Sequence, residues 1–387
     1  MVRQRAREVV AELEARKHPQ PPPDMGTLAD LLARPEADEW RVEGLVPANG
    51  RLLLSAQRKT GKTTFVGNLA RALLTGEPLL GRFPTDKLTG RVVVLNYEVS
   101  GRTFGRWMDD IGVPASGLFV VNLRGRRNLL ADEAGRQELV EIVRAAEGEV
   151  LMVDPFGRAF TGKSQNDAAE VTPWLVRLDE VAEDAGVREV LLTAHAGWNG
   201  ERTRGSSALE DWPDVLAWMT RDEETDDRFF RAEGRDVEVE EDQLHFRRET
   251  RTLSLSGAGS RKQVRDVGRV DELAQLAARI VRDKPGINVS GLREALRAQG
   301  GHLQREDAGA AARRAVEQGL VRTEPGPRNS VLHFPSESAG SAVEASRPDP
   351  SRPVPGTGVS RPDPSYRSGT AHGPPQGRAV PSVAKAS

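Results

Sequence analysis

The segment RLLLSAQRKTGKTTFVGNLARALL, Arg51 to Leu74, leaves a chain little freedom. Arg51-Leu52-Leu53-Leu54-Ser55 follows an Asn49-Gly50 turn and reads as a short buried strand. Phe65, Leu69, Ala72 and Leu73 then recur at helical spacing, and Gly76 stops the helix. Between strand and helix stands Gly61-Lys62-Thr63. A strand that feeds a helix N-terminus through such a loop curls backbone N–H groups around an anion. In that geometry Gly61 passes closest to the phosphates and Lys62 meets the β- and γ-phosphates. Thr63 supplies a hydroxyl for Mg²⁺, and Arg58, Lys59, Thr60 and Thr64 complete the nucleotide contact. The pattern G-x-x-x-x-G-K-[ST] asks for glycine at position 56, where this chain has Ala56. That position only begins the turn, and alanine is the smallest departure.

From Gly50 to about Met219 strands and helices alternate. Strands are expected over 51–55, 91–96, 118–121, 150–154, 189–193 and 215–219, with helices over 62–74, 103–111, 131–146 and 166–185. This rhythm predicts an α/β fold with a mostly parallel sheet flanked by helices. A β-rich stretch follows, with strands expected over 228–232, 237–239, 243–248 and 250–255.

Three of the strands end in residues suited to phosphate chemistry, at the carboxyl ends where open α/β sheets bind ligands. Gly148-Glu149-Val150-Leu151-Met152-Val153-Asp154 is an apolar run tipped by Asp154, placed to hold Mg²⁺ through water. Val92-Val93-Val94-Leu95-Asn96-Tyr97 leads to Glu98, placed to align an attacking water and accept its proton. Val190-Leu191-Leu192-Thr193-Ala194 leads to His195, whose neutral imidazole donates to the γ-phosphate and reports its loss. The following loop, Gly197 to Ser207, is polar, glycine-rich and basic, so it suits a DNA strand that is met as the nucleotide state changes. A turn-forming Asp154, a surface Glu98, a structural His195 and a merely solvated loop are the plainer alternatives.

The rest of the chain is organised around this core. Residues 1–44 hold a helix over Val2–Lys17, a Pro-rich spacer and a short helix over Leu28–Arg34, with Trp40 expected to pack. Residues 45–258 are the core. Over 261–334 three helices and a hairpin at Pro325-Gly326-Pro327 make a winged helix-turn-helix, with 14 Lys/Arg against 9 Asp/Glu. This surplus points to nucleic acid, with protein contacts as the other use of such a module. Residues 335–387 are rich in Pro, Ser and Gly and repeat Ser-Arg-Pro-Asp-Pro-Ser at 346–351 and 360–365, which reads as a disordered tail. The net charge of −2 confines any nucleic-acid surface to a local face. With no cysteine there is no disulfide and no thiolate chemistry. The absence of an apolar leader or span predicts a cytoplasmic protein without membrane contact.

The order of GKT, strand-tip glutamate, strand-tip aspartate and strand-tip histidine resembles a RecA-like ATPase core. Tyr97-Glu98-Val99-Ser100, Val153-Asp154-Pro155-Phe156-Gly157-Arg158 and Arg204-Gly205-Ser206-Ser207 resemble the RepA-type hexameric replicative helicases of plasmids, phages and mobile elements. The resemblance covers about Leu28 to Leu255. It implies Mg²⁺-dependent ATP hydrolysis on DNA, single strands above all, by a homo-oligomeric ring, a hexamer in those helicases, with replication partner proteins. It further implies that Arg235, in Phe229-Phe230-Arg231-Ala232-Glu233-Gly234-Arg235, reaches the γ-phosphate of the next subunit from a strand. Related helicases often carry a lysine where this chain has Glu233. An ATP-switched loader or adaptor that binds DNA without unwinding it is the alternative, and a regulator that only binds nucleotide is disfavoured by Glu98.

Overall fold

The computed structural model describes residues 25–33, 39–197, 202–299, 303 and 306–336. The helix expected over Val2–Lys17, the proline spacer, Trp198–Glu201 of the basic loop and the tail with its repeats lie outside the described residues. The chain divides into two compact units, one up to Ala274 and one from Gln275.

In the first unit, a short helix, Leu28–Leu32, is closed at its start by a capping box between Thr27 and Asp30. Next come β1 (Trp40–Val42) and β2 (Val46–Pro47), an antiparallel pair that spans the expected boundary at residue 44. Val42 is fully buried and Trp40 packs against the core, as expected of Trp40.

Nine further strands form one sheet: β3 (Arg51–Ala56), β4 (Arg91–Asn96), β5 (Leu118–Asn122), β6 (Gly148–Asp154), β7 (Glu189–His195), β8 (Val215–Arg221), β9 (Arg228–Gly234), β10 (Glu238–Arg247) and β11 (Thr252–Leu255). Their order is β11-β10-β9-β8-β3-β7-β6-β4-β5. The six strands from β8 to β5 in that order are parallel, and β9 to β11 are antiparallel. Alternate residues feed two cores, as the strand period requires. Leu52, Leu54, Val92 and Val94 face the helices Lys62–Thr75 and Gly101–Ile111. Leu53, Val93 and Leu95 face Glu133–Ala145 and Ala168–Ala185.

One correction concerns the hairpin strands. The stretches expected at 237–239 and 243–248 are a single strand, β10, with a register shift between Val239 and Asp242. The acidic pair Glu240-Glu241 looks like a break in the sequence, yet the bulge absorbs it without interrupting the sheet.

The second unit holds the end of helix Arg261–Asp283, helices Val289–Ala298 and Asp307–Glu317, and a small sheet. In that sheet β12 (Ile287–Asn288) and β13 (Val321–Pro325) flank β14 (Val331–Pro335), both antiparallel to it. Asn288 caps Val289–Ala298 by accepting from Gly291 N, 2.9 Å away.

Candidate functional site

The loop from β3 to helix Lys62–Thr75 shows why Ala56 is accepted. Ala56 is the last residue of β3, buried and paired with His195 of β7 and Met219 of β8. It adopts strand geometry, so no left-handed backbone falls there. The positive φ values fall later, at Lys59 (65°) and Gly61 (114°). A side chain at Gly61 would be strained whatever the space around it, so glycine is needed at that position. Gln57 ties the start of the loop to β8: its N–H donates to Met219 O at 3.3 Å and its Oε1 accepts from Arg221 N at 3.0 Å. Arg58 and Lys59 are exposed, and Thr60 is fully buried with no partner for its hydroxyl among the described residues.

Lys62, Thr63, Asp154 and His195 come together beside this loop. Thr63 Oγ1 donates to Asp154 Oδ2 at 2.7 Å, and Thr193 Oγ1 donates to Asp154 Oδ1 at 2.6 Å. Burial raises the Asp154 carboxyl above the usual range, against the pull of these two hydroxyls and of Lys62. Lys62 Nζ donates to Ala56 O at 3.4 Å and lies 3.0 Å from His195 Nδ1. The ammonium is the donor of that pair, so Nδ1 is the acceptor and the imidazole is unprotonated there. Burial lowers the affinity of Lys62 for its proton, opposed by Asp154 and Glu98. Burial, then the charge of Lys62, lowers that of His195.

Glu98 is exposed in the turn after β4. The turn is held from beneath by Asn96, which is fully buried. Asn96 Nδ2 donates to Val99 O at 2.7 Å and to Asn122 Oδ1 at 2.9 Å, while its Oδ1 accepts from Val99 N at 3.1 Å. Tyr97 N donates to Asp154 O at 3.0 Å, so the Glu98 turn is anchored to the Asp154 strand as well. Asn128 adds a third tie: it accepts from Tyr97 Oη at 2.9 Å and donates to Ala159 O at 2.6 Å.

His195 also borders a cleft of about 450 Å³ whose other walls include Arg158, Lys163, Gln165, Asn166 and Arg204. His195 O accepts from Arg204 N at 2.8 Å, and Gln165 O accepts from Ser206 N at 2.8 Å. The loops after β6 and β7 are thereby joined to each other and to the histidine. The Asp154–Pro155 peptide at the head of the first loop is cis.

Arg235 stands apart from these groups. It is exposed in the turn beyond β9, not on the strand itself. Gly234 pairs with Val215 at the first residue of β8, whereas the phosphate loop leaves β3 beside Met219. Arg235 therefore lies at the opposite end of the sheet from Lys62 of the same chain.

Asn96, Thr193, Gln57 and Gln165 were not among the expected site residues. The visible trace was a polar residue inside an otherwise apolar strand end, Asn96 after VVVL and Thr193 after VLL.

Residues 16–201 match the family described as AAA domain. Among solved structures, a KaiC-like protein from the archaeon Pyrococcus horikoshii is similar at 17% identity and a TM-score of 0.41, covering 56% of this chain and 93% of that one. No curated protein matches the sequence. The AAA-domain match contains the phosphate loop, Glu98, Asp154 and His195, which the strand order described above sets at the carboxyl ends of parallel strands.

Proposed function

We propose that the chain hydrolyses ATP with Mg²⁺ and couples turnover to a DNA strand, as a RepA-type replicative helicase or motor of a mobile element. The observation that carries this reading is the continuous path from Lys62 through His195 to Arg204, which links the phosphate loop to a cationic cleft.

The residues fit both groups the reading requires. The left-handed Gly61, the buried Thr60 hydroxyl, which has no partner among the described residues, and the buried Lys62 ammonium form a cradle for phosphate oxygens. Thr63 and Asp154 offer a hydroxyl and a carboxylate, a hard-oxygen pair suited to Mg²⁺, which retains most of its waters. Among the described residues no three His, Cys, Asp or Glu side chains gather as a fuller metal cage. Bound Mg²⁺ supplies charge neutralisation on the phosphates.

Glu98 accepts the proton of the attacking water, from a turn whose Val99 backbone is held by the Asn96 clamp. Lys62 turns from Ala56 O and His195 toward the phosphate oxygens. His195, released from Lys62, takes up the γ-phosphate contact, and the shift passes through its backbone bond to Arg204. Arg158, Lys163 and Arg204 meet DNA phosphates. In this proposal Arg235 serves a neighbouring copy in a ring, a hexamer by analogy with the helicases it resembles. Residues 261–334 act as a winged helix-turn-helix that adds DNA or replication-partner contacts, and the setting is the cytoplasm.

The test is ATP turnover without DNA, with duplex and with single strands. Turnover raised by single strands supports a motor. Slow turnover with long-lived DNA complexes supports an ATP-switched loader or adaptor, and turnover indifferent to all DNA removes the coupling.

A further inference from the structure

The phosphate end of the site fixes where the nucleoside end must lie. Lys62, His195, Asp154 and Glu98 gather on the β7, β6 and β4 side of β3. On the other side, the position a Cβ would take at Gly61 faces Thr64 at 3.6 Å and the methyl of Met219 on β8 at 3.9 Å. A triphosphate that ends among the first group therefore runs back over Gly61 and Thr64 toward β8 and the hairpin strands.

That direction leads to a cleft of about 520 Å³ at the loop end of β9 and β10. Phe65, in the first turn of the loop helix, stacks on Phe230 of β9 with ring centroids 5.7 Å apart. Arg228 is on the same face as Phe230, two residues nearer the loop end, or about 7 Å further along the strand. Its guanidinium carbon sits 4.5 Å from the centroid of the Phe246 ring. Phe246 packs against the same core as the loop helix. Arg228 Nε is buried and finds no hydrogen-bond partner among the described residues. Asp226, Asp227, Arg248 and Arg251 also line the cleft. Asp227 Oδ1 accepts from Gln243 Nε2 at 2.9 Å, which holds its carboxylate at the rim.

We infer that this cleft is the subsite for the base and ribose of the nucleoside triphosphate, with the base stacked on the Arg228–Phe246 pair and Asp227 accepting from a ribose hydroxyl. The inference rests on the phosphate-loop reading above. A guanidinium plane backed by an aromatic ring is a surface on which bases stack. The cleft volume lies in the range of small-molecule sites, roughly 300–1,000 Å³. Stacking tolerates any base but strengthens with ring area, so the subsite favours purine over pyrimidine nucleotides.

The experiment compares equilibrium binding of ATP and of inorganic tripolyphosphate, both with Mg²⁺, to the full chain and to Arg228→Ala, Phe246→Leu, Phe246→Trp and Lys62→Ala. Arg228→Ala and Phe246→Leu are expected to weaken ATP by about tenfold to a hundredfold, the usual effect of losing one base stack, and to leave tripolyphosphate unchanged. Phe246→Trp retains ATP affinity. Unchanged ATP affinity in both Arg228→Ala and Phe246→Leu overturns the subsite. So does an equal loss of both ligands, which marks a general structural defect. Lys62→Ala loses both ligands if the phosphate loop is the anchor, and a parent chain that binds neither overturns the phosphate-loop reading itself.

Discussion

Lys62 Nζ and His195 Nδ1 lie 3.0 Å apart, so the cation of the phosphate loop and the sensor candidate on β7 hold one another. The contact requires an unprotonated imidazole, which gives it a pH dependence of fixed sign. The folded-state proton affinity of His195 is lowered by burial, then by Lys62, Arg204 and Arg58, against Glu98. Below the ordinary histidine value of about 6.5 the unfolded chain binds the proton first, so stability falls as pH drops through that value toward the lower folded one. Melting temperatures at pH 7.5 and 5.5 should therefore drop further for the parent than for His195→Gln. An equal or larger drop in the variant would remove His195 from this role.

Glu98→Gln keeps the shape of the side chain and cannot accept a proton. It should bind ATP as the parent does and hydrolyse it about 10²–10⁴-fold more slowly. Single-turnover hydrolysis measures the step directly, and a parental rate would show that Glu98 is not the base.

Asn96→Leu strips the clamp beneath Glu98 and leaves Val99 N–H without its partner, at a cost of about 1–3 kcal/mol in stability. Turnover should fall at unchanged ATP affinity, because Lys62 and Thr63 are untouched. Urea denaturation and the split between kcat and KM report the two effects separately. Parental kcat at lowered stability would make Asn96 a scaffold residue only.

Ala56→Gly restores the usual glycine of the loop pattern, yet it acts on a strand residue. The expected result is a loss of roughly 0.5–1 kcal/mol with no gain in ATP affinity. Tighter ATP binding would mean that the loop is strained by Ala56.

Arg235→Ala should bind ATP normally and hydrolyse it slowly, by up to about 10³–10⁵-fold if it acts as a trans finger. Mixed with Lys62→Ala, it should recover activity at interfaces where an intact Lys62 site meets an intact Arg235. Absence of recovery in an assembly shown to exchange subunits would discard the arrangement.

Much of the core was legible because its signals run along one dimension. The GKT triplet lies between a strand and a helix, and apolar runs end in Glu98, Asp154 and His195. What escaped depends on register between strands distant in sequence. Asn96 meets Asn122 only because β4 and β5 pair at those residues. Thr193 reaches Asp154 because β7 lies beside β6. Gln165 and Ser206 meet across two loops, and Glu240-Glu241 reads as a break because a bulge leaves no mark in composition.

The placement of Arg235 and Lys62 at opposite ends of one sheet gives every copy a head and a tail. Two such copies laid antiparallel across a twofold axis would bring each Arg235 to the other's phosphate loop and close the assembly at two. A heterologous contact, repeated in one sense, also delivers Arg235 in trans, and it closes into a ring or runs on as a helix. An assembly of that kind is polar, and a strand of nucleic acid threaded through it would see the same face of every protomer, so direction of travel would be decided by the subunit contact before any cycle of hydrolysis began.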